Sequence, residues 1–131
     1  MTAKVLAFRP RERIRLDAAP IGLIYRSMDT TTAETVVSRA LGEVGAAMTA
    51  LRGRLSERQG PEPDPTLPRD LRRLRRMAEQ LGMISLGLVA EDLRLCLDAQ
   101  DSVARAAVAA RFLRVADMTM ASGKGAADGT L

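Results

Sequence analysis

The hydrophobic positions along this chain recur at helical spacing. Val37, Leu41, Val44, Met48, Leu51 and Leu55 follow one another at intervals of four and three, which keeps apolar side chains on one stripe of an α-helix. Thr31-Thr-Ala-Glu34 precedes that run with the pattern of a capping box, in which a threonine hydroxyl accepts from a first-turn N–H and the glutamate reaches back. A long amphipathic helix is predicted over about 32 to 58. Gln59-Gly-Pro-Glu-Pro-Asp-Pro65 stops it, because proline neither donates into a helix nor fits its interior. This stretch reads as a connector within one domain.

Three more helices follow from the same pattern. Thr66 is the expected N-cap of the next, with Pro68 in its first turn, Leu71, Leu74, Ala78 and Leu81 on one stripe, and an end near Leu81-Gly82. From about Ser85 to Ala99 apolar residues occupy most of the circumference, so that helix is expected inside, touching neighbours on several sides. Asp101 or Ser102 caps a last helix in which Val103, Ala106, Ala110, Leu113 and Met120 line one face. Residues 122 to 131 lack an apolar period and read as a flexible tail. Upstream, Ile14 and Leu16, then Ile21, Leu23 and Ile24, fit an extended arm and a short helix after Asp17, with Pro20 near its start. The expected fold is all-α: a basic arm or short extra helix over 1–30, an up-and-down four-helix bundle over 31–121, and the tail.

Composition narrows the function. With 131 residues the chain fits one domain, and with aromatics at 2% its core has to be aliphatic, which favours helices over sheets. The single cysteine, Cys96, lies in the apolar run Leu93-Arg-Leu-Cys-Leu97 and reads as a buried small hydrophobe. Val5-Leu-Ala-Phe8 is too short for a signal-peptide core, and no apolar run approaches the ~20 residues that span a bilayer, so a cytoplasmic protein without a membrane partner is expected. The chain contains no histidine, which removes imidazole bases, Ser-His and Cys-His pairs and the commonest metal ligand. No P-loop, dinucleotide fingerprint or metal-ligand spacing is present, so the expectation is a binding protein with no enzymatic activity and no cofactor.

Charge gives that expectation a location. Residues 1–26 carry six basic and two acidic side chains, and residues 66–76 carry five basic and one acidic, while the segments 27–65 and 77–131 each come to −2. Arg69, Arg72, Arg73 and Arg76 fall opposite the apolar stripe of their helix, with Arg75 flanking them. Such a face attracts acidic proteins or other anions, and it is the candidate partner-binding site.

Residues 72 to 98 resemble the histidine phosphotransfer (HPt) family, four-helix bundles that relay phosphoryl groups between receiver domains. The family pattern is a phosphoacceptor histidine followed by Leu at two, Lys at three and Gly at four residues, then a Leu-Gly-like pair at nine and ten. In that register stand Arg72, Leu74, Arg75, Arg76, Leu81 and Gly82, and Leu86-Gly-Leu-Val-Ala-Glu-Asp-Leu-Arg-Leu-Cys-Leu-Asp98 resembles the next helix. Arg72 occupies the histidine place and Arg76 the glycine place. Arginine stays protonated and is no phosphoacceptor, so the resemblance implies a degenerate copy that docks without accepting phosphate. The implied partner is a receiver-domain or histidine-kinase protein, with Arg72 pairing a carboxylate or aspartyl phosphate and Arg73 and Arg75 steering the encounter.

Two other readings compete. The calculated pI of about 10.2 and the two basic clusters fit a nucleic-acid-binding or regulatory helical protein, although there is no recognisable DNA-binding motif. The long first helix or the N-terminal arm could also pair two copies, making a self-associating structural protein or homodimer.

Overall fold

The helical periodicity becomes five helices in the computed structural model, which describes residues 13–56, 64–99 and 101–127. They are α1 (Ala19–Ser27), α2 (Thr30–Ser56), α3 (Leu67–Gln80), α4 (Ile84–Ala99) and α5 (Ser102–Ala127). No strand forms among the described residues, so the fold is all-α. No helix among them is long and apolar enough to cross a membrane.

α1 begins where Pro20 and the Asp17 carboxylate place it: Asp17 Oδ1 accepts from the Ala19 N–H at 3.0 Å. α2 starts two residues earlier than the capping-box pattern predicts. Asp29 is the cap, accepting from the Thr32 N–H at 2.9 Å and the Thr32 hydroxyl at 2.8 Å. Thr31 is already in the first turn, where its carbonyl accepts from the Thr35 hydroxyl. A carboxylate prevails over a threonine hydroxyl because the unpaired N–H groups and dipole of a helix start favour full negative charge. The Thr32 N–H, then its hydroxyl, hold the Asp29 carboxyl below the usual carboxylate range.

At α3 the expected threonine cap is engaged elsewhere. Thr66 stands at its N-terminus without capping it. Its hydroxyl donates to Asp64 at 2.7 Å and accepts from Arg54 at 2.7 Å, while Asp64 takes the Thr66 N–H at 3.0 Å. The end of α3 matches expectation. Gly82 has φ +73°, its N–H reaches the Glu79 carbonyl at 3.1 Å, and the Met83 N–H reaches the Ala78 carbonyl at 2.8 Å. This is a Schellman closure, which satisfies carbonyls the helix leaves open and turns the chain directly into α4.

The core follows α2 and α3 closely. Val37, Val44, Met48 and Leu51 of α2 are buried, with Leu41 and Leu55 half-buried at its margin. Leu67, Leu71, Leu74 and Ala78 of α3 are buried, followed by Leu81. α4 is less enclosed than its sequence suggests: Leu86, Val89, Ala90 and Leu93 are buried, whereas Leu88 and Leu95 remain 57% and 50% exposed. Its neighbours α3 and α5 cover one broad side only. Cys96 is half-buried.

The rotation of α5 departs from the predicted face. Phe112, Val115, Ala116 and Thr119 point inward, while Val103 is 79% exposed, Ala106 and Ala110 are exposed, and Leu113 and Met120 are only partly buried. An alanine-rich helix has a weak directional preference, so its largest side chain, the fully buried Phe112, sets the phase. The buried Thr119 hydroxyl is satisfied by the Val115 carbonyl at 2.7 Å. The helix also continues to Ala127, past Ser122 where the tail is predicted to begin. Residues 1–12 of the arm, 57–63 of the connector and 128–131 of the tail lie outside the described residues.

Packing follows chain order. α2 lies against α3, α3 against α4 and α4 against α5; α5 returns to α2, and α1 rests on α2. The extended residues before α1 cross the α3–α4 turn as a strap. Leu16 makes an antiparallel bridge with Met83, the Asp17 N–H donates to the Gly82 carbonyl at 2.7 Å, and the Arg15 N–H donates to Ser85 Oγ at 2.7 Å.

Candidate functional site

α3 carries the arginine cluster because its apolar stripe and basic face are well separated. With Leu67, Leu71, Leu74 and Ala78 turned inward, Arg69, Arg72, Arg73 and Arg76 are all exposed. The arrangement places these four on one outward side and Arg75 at its border with α4.

The five arginines differ in their electrostatic state. Arg75 is tied in place: its Nε meets Glu79 at 2.9 Å and its guanidinium reaches Glu91 of α4 at 3.2 Å. Glu91 also bonds Arg94, which meets Asp98 at 3.0 Å. Arg94, then Arg75, holds the Glu91 carboxyl at about 2, well below its ordinary value. The carboxylates at Glu79 and Glu91 raise the pKa of Arg75. This chain of charges links α3 to α4, and it neutralises locally the positive charge assigned to steering. Arg75 is therefore a poorer steering group than its sequence position suggests.

Arg69 makes a long contact of 3.5 Å with Asp70, whose carboxylate is mainly engaged by Arg54. Arg54 in turn meets Asp64 at 2.7 Å, so one guanidinium from α2 fastens both the first turn of α3 and Asp64, two residues ahead of Thr66. The Thr66 hydroxyl and Arg54 bring the Asp64 carboxyl down to about 2. Arg72, Arg73 and Arg76 have no ion-pair partner among the described residues. They form the open part of the face.

Sequence inspection finds the five arginines but not the division among them. The Arg75 and Glu79 pair is visible as an i, i+4 spacing. The reach of Arg75 to Glu91, and of Arg54 to Asp64 and Asp70, depends on how helices meet and has no sequence signal. Chemically, the open guanidiniums can receive carboxylates or other oxyanions, bidentately where geometry allows. Among the described residues no group of three or more His, Cys, Asp or Glu side chains is arranged to hold a metal ion.

Compared with known proteins, the chain matches no family model, no curated protein and no solved structure.

Proposed function

We propose that this chain is a non-catalytic docking module in which α2 to α5 form an up-and-down four-helix bundle of HPt-like arrangement. The cyclic packing order of these helices supports that reading, as does the position of Arg72, exposed on α3 where the family resemblance puts a phosphoacceptor. An arginine there takes the ligand's place instead of carrying it: a guanidinium offers fixed donors to a carboxylate and forms no phosphoryl bond. The partner is a receiver-domain or histidine-kinase protein, whose acidic surface meets Arg72, Arg73 and Arg76. The observation that carries the proposal is that these three exposed arginines have no ion-pair partner among the described residues, while Arg75 is neutralised by its neighbours.

The test is nuclease-treated affinity capture from native lysate, comparing wild type with Arg72→Ala/Arg76→Ala. Enrichment of receiver-domain or histidine-kinase proteins by wild type, reduced on the order of tenfold in the variant, is the expected result. Equal capture by both proteins removes the docking face. Capture that disappears with nuclease and falls steeply with salt assigns the arginines to a nucleic-acid backbone instead.

A further inference from the structure

Beside the arginine face, α2 and α3 part to leave an open groove of about 370 Å³. Its floor is apolar, built from Ala46, Ala47, Ala50 and Leu51 of α2 and Leu74 and Met77 of α3. The cause lies in α2, which presents alanine along this stretch where a leucine or valine would fill the space. Its outer bank is smaller still: Gly42 and Gly53 have nothing within 4 Å of where a Cβ would sit, and Ala46 and Ala50 are exposed. A bank of glycine and alanine lets another helix approach closely. The opposite bank is α3, where Arg73 lines the groove and Arg69 and Arg76 lie one turn to either side.

The ends of the groove differ in charge. At one end Arg54 and Asp70 neutralise each other. At the other stands Glu43. Along α2 the stretch from Glu43 to Arg54 rises about 16 Å, the length of three helical turns.

We propose that this groove seats an acidic amphipathic helix of a partner protein. The occupant's small and aliphatic side chains lie on the alanine and leucine floor, its carboxylates face Arg69, Arg73 and Arg76, and Glu43 sets its direction by excluding an acidic side chain from that end. The commitment to an acidic helix rests on charge complementarity with Arg73 in the groove and Arg69 and Arg76 beside it, and on an α2 bank of small residues that lets a helix approach closely. It rests on the reading of α3 as a docking face and specifies what docks there.

The experiment is selection on the full chain from a displayed library of three-turn helical peptides with a fixed Ala/Leu seam and flanking positions varied among Glu, Gln and Lys. Glutamate is expected to be enriched on the flank facing α3. The affinity of the selected peptide, read by fluorescence anisotropy, is expected to fall on the order of tenfold or more in Ala50→Trp and in Arg73→Glu. Ala50 and Ala46 are exposed, so Ala46→Arg serves as a second blocking variant, and circular dichroism confirms that each stays folded. Enrichment of Gln or Lys, no enrichment at all, or binding that survives both Ala50→Trp and Ala46→Arg overturns the groove proposal. Loss in Arg73→Glu with retention in both blocking variants rejects the groove and leaves the arginine face standing. Unchanged lysate capture by Arg72→Ala/Arg76→Ala rejects the docking face, whatever the peptide does.

Discussion

Gly82 meets two constraints at once. Its φ of +73° closes α3, and a Cβ placed on it would come within 1.9 Å of the Asp17 carbonyl oxygen. An L-residue in this conformation costs about 1–2 kcal/mol, before any steric conflict with the strap. Gly82→Ala is therefore expected to lower the free energy of unfolding by about 2 kcal/mol or more in urea titration. A loss under about 0.5 kcal/mol would mean that the strap yields without cost. The glycine is legible in sequence as a helix stop; the backbone facing it is not, because Asp17 lies far upstream. The caps teach a similar lesson. Threonines 31 and 66 both look like caps and neither caps: Asp29 takes the first-turn N–H of Thr32, while the Thr66 hydroxyl is engaged by Asp64 and Arg54. A charged acceptor near a candidate threonine outranks it.

At the level of elements, legibility tracks how uneven each helix is. α3, with arginines on one side and leucines on the other, sits as its pattern predicts. α5, rich in alanine, does not, and its phase turns on Phe112. Truncating this fully buried ring in Phe112→Ala should cost about 3–5 kcal/mol in chemical denaturation, whereas Val103→Ser should be near neutral. The reverse order would restore the predicted face. Pairs of helices are also joined by charge, which makes stability depend on acid. Glu91 links α4 to Arg75 of α3, with a folded pKa of about 2 against an ordinary 4.5. A depressed pKa stabilises the fold fully above the ordinary value, and this contribution fades as the pH falls from 4.5 towards 2. Asp64 behaves alike between 3.8 and about 2, where it ties α3 to Arg54 of α2. Glu91→Gln should flatten that part of the curve of melting temperature against pH, and a variant curve parallel to wild type would show that the network adds no folded-state stability.

Across the whole molecule, the order of helices follows from spacing and proline, but the route of the chain between distant parts does not. The basic cluster at 69–76 is visible in the sequence and remains on the surface; which arginines stay open depends on neighbours from α2 and α4. The strap is the feature with the widest reach. Arg15 bonds Ser85 across a separation of 70 residues, and Leu16 and Asp17 pair with the same turn. Residues made earlier in the chain are thus completed by residues made about 70 positions later. Until Gly82 and Met83 emerge, the segment ahead of α1 has no partner, and the apolar stripe of α2 lacks α3 beneath it. Docking of the strap marks the moment at which α3 and α4 have joined, so the segment ahead of α1 registers the arrival of the turn between them.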